Sequence, residues 1–131
     1  MTLVVDVSFS VRACLGDRGF AGLRRQRLVA PPLMWAEARS ALHEAVFRGE
    51  LSAPDGSAAL DRLLDAPIAA MSPHGLGRAA WQLADELGWA KTHDAEYVAL
   101  ARLLGCRLLT NDEALRRGTA RLGIVIGPAE L

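Results

Sequence analysis

No stretch of this 131-residue chain approaches the ~20 apolar residues that a membrane span requires, so no membrane partner is expected. Charge of one sign is also missing: Lys+Arg and Asp+Glu number 15 each, and the net charge is zero. A general affinity for polyanions is thereby excluded, and any contact with nucleic acid must come from a local basic patch. The two cysteines, Cys14 and Cys106, lie in apolar segments without metal-type spacing. They are expected as buried, reduced thiols of a cytoplasmic protein. The N-terminus runs straight into Leu3-Val4-Val5 with no basic, cleavable leader, which fits the same compartment. His43, His74 and His93 lack zinc spacing, and neither a phosphate-binding glycine loop nor a G-x-S-x-G elbow is present.

What is present is an alternation of short apolar strands and amphipathic helices. Met1–Val5, Leu28–Ala30, Pro67–Ala70, Arg107–Thr110 and Gly123–Ile126 read as strands. Helices are expected over Ser8–Leu15, Leu33–Arg48, Asp55–Leu64, His74–Leu87, Asp94 to Gly105 and Asn111–Arg117, with a short helical piece over Asp17–Arg27. Pro31-Pro32 suits a helix start, and Gly49, Gly88 and Gly105 suit helix ends. Met34, Ala38, Ala41, Leu42 and Ala45 form one apolar helix face, with Glu37 at its flank. Leu76, Ala80, Leu83 and Leu87 form another. The pattern is that of a single α/β domain, residues 1–131, with a central parallel sheet covered on both faces. Ligands of such sheets bind beyond the carboxyl ends of the strands.

Four acids stand at informative places. Asp6 directly follows the first strand and Asp112 the fourth. Asp94 heads the stripe Tyr97, Val98, Ala101 and Leu104, which points a carboxylate inward. Each has an ordinary alternative: Asp6, Asp94 and Asp112 as helix caps, Glu37 as a solvated helix residue. His93 reads as a packing or supporting residue. Clustered carboxylates would repel one another, a conflict that a hard divalent cation removes. A cation so held can ionise a water and stabilise charge on a phosphodiester undergoing in-line displacement.

Taken together, Val4-Val5-Asp6-Val7-Ser8, the segment from Pro32-Leu33 through Glu37 to Ala41-Leu42, Asp94-Ala95-Glu96-Tyr97-Val98-Ala99-Leu100-Ala101, and Leu108-Leu109-Thr110-Asn111-Asp112 resemble the four motifs of the PIN-domain ribonucleases. The likeness is closest to the VapC-type toxins of bacterial toxin–antitoxin pairs, and it spans nearly the whole chain. Position 93 departs from it, carrying His where relatives commonly carry Tyr. The resemblance implies a doubly wound α/β/α sandwich that gathers Asp6, Glu37, Asp94 and Asp112 at one edge. It implies an endoribonuclease dependent on Mg²⁺ or Mn²⁺. Asp6 and Asp94 would be direct ligands, Asp112 a ligand directly or through water, and Glu37 would complete the site or activate water. Thr110 and Asn111 would position the fourth carboxylate and the water. A homodimer and a cognate VapB-type antitoxin, whose C-terminal segment silences the site, are the implied partners.

Arg24, Arg25 and Arg27, with Lys91, Arg116 and Arg117, are the candidates for RNA phosphate contacts, against the alternative of solvated surface charge. Trp35, Trp81 and Trp89 could stack on bases, but core or dimer packing is the preferred reading. A competing function is a non-catalytic PIN-like scaffold that binds RNA or protein, against which the four retained acids argue. A phosphoacceptor domain or small phosphatase is disfavoured, because no lysine follows Ile126 and position 8 is Ser where a second aspartate would be needed.

Overall fold

Five short apolar strands form the centre of the computed structural model, which describes residues 1–131. They are β1 (Thr2–Val5), β2 (Arg27–Ala30), β3 (Ile68–Ala70), β4 (Arg107–Leu109) and β5 (Val125–Ile126). All pair in parallel, in the order β3-β2-β1-β4-β5. The helices are α1 (Val7–Leu15), α2 (Leu33–Phe47), α3 (Ala53–Leu64), α4 (Leu76–Leu87), α5 (His93–Leu104) and α6 (Glu113–Gly118). Parallel neighbours need crossovers, and right-handed crossovers fix the layers. The chain steps outward from β1 through β2 to β3, placing α1, α2 and α3 on one face. It then returns past β1 to β4 and β5, placing α4, α5 and α6 on the other. Packing agrees: α1, α2 and α3 contact one another, while α5 lies against α4, β1 and β4. Leu3, Val4, Val5, Leu108 and Leu109 are buried from both sides.

The strand order reverses between β1 and β4, so the crevice of this sheet opens beyond Val5 and Leu109, which are partners in register. The next residues along the two strands are Asp6 and Thr110.

Several expectations shift. The helical piece over Asp17–Arg27 is only a single 3₁₀ turn, Ala21–Leu23, and Arg27 already belongs to β2. Gly16, Gly19 and Gly22 break that stretch, Gly19 with φ +54°. Helix α4 begins at Leu76 instead of His74, because Gly75 is left-handed at φ +87°. The buried face of α2 is narrower than expected: Met34, Ala38 and Leu42 are covered, Ala45 is half-buried and Ala41 is exposed. Trp35 and Trp89 pack against the core, whereas Trp81 is 65% exposed. Cys14 is buried, Cys106 only partly, and neither is bonded to the other. No helix is long and apolar enough to cross a membrane.

Candidate active site

Asp6 ends a strand and starts a helix, and both local roles persist in the fold. Its Oδ1 caps α1 by accepting from the Phe9 N–H at 2.9 Å, and takes a second bond from the Ser8 hydroxyl at 2.8 Å. Its Oδ2 accepts from the Thr110 hydroxyl. Each hydroxyl has one proton, and both are spent on Asp6. The 3.2 Å approach of Ser8 Oγ to Thr110 Oγ1 is therefore a contact of two acceptors. Their lone pairs take the backbone N–H groups of Asn111 (to Ser8, 3.1 Å) and Asp112 (to Thr110, 2.9 Å). Loops leaving β1 and β4 are thus laced together around one carboxylate. Three of its four acceptor positions are occupied, and the last lies on Oδ2. Burial pushes the Asp6 carboxyl up, the Asp112 charge adds to this, and the Thr110, Phe9 and Ser8 bonds oppose it.

Asp112 caps α6, accepting from the Leu115 N–H at 3.0 Å, and its side chain remains exposed. Glu37, in the second turn of α2, is half-buried. Its Oε1 accepts from the Tyr97 hydroxyl at 2.6 Å, which joins the two helical layers over the sheet edge. Its Oε2 is 3.7 Å from His93 Nδ1. Tyr97 is fully buried, and its phenol is raised by that burial, by the bond to Glu37 and by the charges of Glu37, Asp6 and Asp94.

Asp94 departs from the inward placement expected of it: its side chain opens to solvent at the head of a stripe that is itself mostly buried. The capping alternative is not met either, since the N-cap of α5 is Thr92. Within the first turn of α5 it is Ala95, not Asp94, that faces the core, and the buried face continues from Tyr97 onward. The protein on its inner side still raises the Asp94 carboxyl, followed by the charges of Asp112 and Glu37, with His93 opposing. Asp112 acts on both Asp6 and Asp94, and Glu37 on Asp94, so the four carboxylates form one electrostatic group.

Three neighbours lay outside the sequence-derived set. Glu96 is a further acid of this edge, raised by burial and by Glu37 while His93 opposes. Ser8 and Tyr97 hold Asp6 and Glu37. Only Ser8, two residues after a strand-end aspartate, carried a local signal, that of a capping turn. The role of Tyr97 depends on a helix 60 residues away.

The donor set consists of carboxylate oxygens, the choice of a hard cation. No three His, Cys, Asp or Glu side chains stand close enough together to hold a metal ion among them. An ion at this edge would therefore use one or two carboxylates directly and keep several waters.

The basic candidates divide. Arg27 is in register with Thr2 at the amino edge of the sheet, with Arg24 and Arg25 just before it. They lie about 13 Å along the strands from Asp6, at 3.3 Å per residue, and are not brought to the carboxylates. Arg116 is already engaged, its guanidinium lying over Gly127 and paired with Glu113 at 3.1 Å and with Glu130. Lys91 and Arg117 are exposed, Lys91 three residues before Asp94.

Residues 3–120 match the family model described as PIN domain. The chain is 34% identical over 128 residues to "VapC ribonuclease Mb0985" of Mycobacterium bovis, covering 96% of this chain and 98% of that one. It is 38% identical to "Ribonuclease VapC1" of Mycobacterium tuberculosis over 86% of each chain. Among solved structures, that of PAE2754 from Pyrobaculum aerophilum superposes with a TM-score of 0.78 over 99% of this chain and 91% of the other, at 21% identity, a likeness of fold.

Proposed function

The chain belongs to the PIN-domain family, among relatives named VapC ribonucleases, and on that premise we propose that it is a metal-dependent endoribonuclease, the toxin of a toxin–antitoxin pair. The observation that carries the reading is the electrostatic group formed by Asp6, Glu37, Asp94 and Asp112 at the switch point of the sheet. Four acids without a cation among them oppose stability, and a binding role explains their grouping.

Asp6 and Asp94 would hold Mg²⁺ or Mn²⁺ directly and Asp112 through water, with Glu37 completing the site. When bound, the ion supplies Lewis-acid stabilisation of the phosphodiester and lowers the pKa of a water. The chain's own part is positional. Asp6 is pinned by three donors and keeps one lone pair on Oδ2. Glu37 is oriented through Oε1 by Tyr97, which leaves Oε2 to accept the proton of the attacking water. Thr110 and Ser8 fix the spacing of the β1 and β4 loops, so the Asp6 and Asp112 backbones cannot drift apart. The same reading includes a cognate VapB-type antitoxin across this edge and a homodimer. Phe47 and Trp81, 87% and 65% exposed, supply apolar surface for such contacts.

The test compares cleavage of total RNA by the wild type and by Asp94→Asn, each with Mg²⁺, Mn²⁺ or EDTA, with folding checked by circular dichroism. Cleavage is expected only from the wild type with metal. Equal cleavage by the variant would sink the assignment, and RNA binding without cleavage by the wild type would favour the non-catalytic scaffold.

A further inference from the structure

A groove of about 500 Å³ runs down the outer face of α1 and opens onto the carboxylate edge. Phe9, Arg12, Ala13 and Gly16 line it at i, i+3, i+4 and i+7, one face of the helix. Its far wall is the loop carrying Asp17 and Arg18, and its upper end is formed by Asn111 and Pro128, from the loops after β4 and β5. Phe9 to Gly16 spans seven helical steps, on the order of 10 Å. The groove touches the site through a short chain of bonds: the Asn111 N–H donates to Ser8 Oγ, and Ser8 donates to Asp6.

The groove carries charge. The side chains of Arg12 and Arg18 make neither an ion pair nor a hydrogen bond, a condition they share with Arg24, Arg25, Arg27, Arg39, Arg78 and Arg117. Arg48, Arg102 and Arg116, by contrast, are paired with acids, and Arg62 and Arg121 are spent on backbone carbonyls. What sets Arg12 and Arg18 apart is that they share one groove beside the carboxylate edge. Asp17 is the single acid of the lining, so two free guanidinium groups leave the groove positive in a chain of zero net charge. Phe9 is half-buried and braced edge-on by Phe20, with ring centroids 6.3 Å apart and an interplanar angle of 61°. A braced ring beside unpaired arginines is the arrangement that stacks a base while holding the phosphates on either side.

We infer that this groove is the track along which single-stranded RNA leaves the cleavage edge, with Arg12 and Arg18 on its phosphates and Phe9 against a base. The inference rests on the ribonuclease reading for its substrate class, and it moves the RNA contacts from the amino edge of the sheet to the face of α1.

The experiment measures binding of a short fluorescein-labelled RNA of randomised sequence by anisotropy, over a range of salt concentrations. All arms carry Asp94→Asn, which prevents turnover. Arg12→Gln with Arg18→Gln is compared with Arg25→Gln plus Arg27→Gln at the amino edge, and with Arg12→Lys plus Arg18→Lys. Removing two phosphate contacts from a single strand should weaken binding about tenfold and lower the logarithmic salt slope by about 1.4. The amino-edge pair should change affinity less than about twofold, and the lysine pair should recover much of the loss. Unchanged affinity in the glutamine pair, or an equal loss in both pairs, overturns the track. So does a groove that binds a glutamate-rich peptide through the two arginines but no RNA. Cleavage by the unmodified chain judges the ribonuclease reading separately. A nuclease whose RNA ignores Arg12 and Arg18 keeps that reading and loses this one. A chain that binds RNA through them without cutting does the reverse.

Discussion

Thr110 donates its hydroxyl proton to Asp6 Oδ2, and each is the first residue beyond a neighbouring central strand. The bond ties the two ends of the crevice together, because Thr110 Oγ1 also accepts the Asp112 N–H at 2.9 Å.

Replacing Thr110 with Val keeps shape and removes this link. Asp6 then loses a donor in a buried setting and the Asp112 N–H loses its acceptor, at a cost of about 2 kcal/mol. The urea midpoint should fall with an unchanged m-value. Activity should fall further than stability does, measured well below the midpoint, since both carboxylates lose their spacing. Full activity in Thr110→Val would remove the hydroxyl from the site.

Tyr97→Phe leaves the core filled and deprives Glu37 of its donor. Glu37 is partly exposed, so water replaces the bond and stability should drop only about 1 kcal/mol. If Glu37 needs a fixed orientation to take a proton, kcat should fall about tenfold, equivalent to 1.4 kcal/mol in the barrier, with KM little changed. A change confined to KM would point to a role in RNA binding.

The pH dependence of stability has a definite sign. Asp6 and Asp94 titrate above the ordinary value of 3.8, so the folded chain holds protons that the unfolded chain has released. Their contribution to stability is present below that value. It is lost as pH rises through the raised ones, and at neutral pH the carboxylates are a standing cost. Without metal, Asp94→Asn should therefore melt higher than the wild type at pH 7 and the same as it below pH 3.8. Mg²⁺ should raise the wild-type melting temperature and leave the variant nearly unmoved. A variant that melts lower than the wild type at pH 7 would contradict the repulsive group.

Gly56 lies where α3 crosses α2, and a Cβ there would collide with Val46 Cγ2. Alanine gains about 1 kcal/mol of helix propensity, but overpacking against a β-branched side chain with one favoured rotamer costs about 2. Gly56→Ala should lose stability on balance, and adding Val46→Ala should restore it. Additive effects of the two changes would show that the helices do not touch there.

The parts of this site that could be read from the chain were those that combine two local signals in one residue. Asp6 ends a β-branched run and begins a helix, and Thr110-Asn111-Asp112 repeats that arrangement after β4. The carboxyl edge was legible from these alone. Strand order was not, since which strands adjoin depends on crossovers that no window of residues displays. The stripe below Asp94 was correctly apolar, but a period describes a helix face and not which residue of the first turn, here Ala95, faces the core. Arg24, Arg25 and Arg27 formed the most conspicuous basic cluster, and register places them at the amino end of β2, away from the carboxylates. Arg12 and Arg18 are six residues apart and attract notice only when α1 and its following loop are seen to share a groove.

The position of β1 also has a consequence for biosynthesis. The first strand made is the central one, and its partner on the active side is 104 residues later, at Thr110. Asp6 emerges from the ribosome well before its pinning hydroxyl and the Asp112 carboxylate, which follow only after β4. Such distant pairing forms late and cooperatively. A nascent or prematurely terminated chain that stops before β4 carries Asp6, Glu37 and Asp94 but lacks Asp112 and the bonds that lace the β1 and β4 loops together. The acidic edge is therefore complete only once β4 and the loop that follows it have been made and paired with β1.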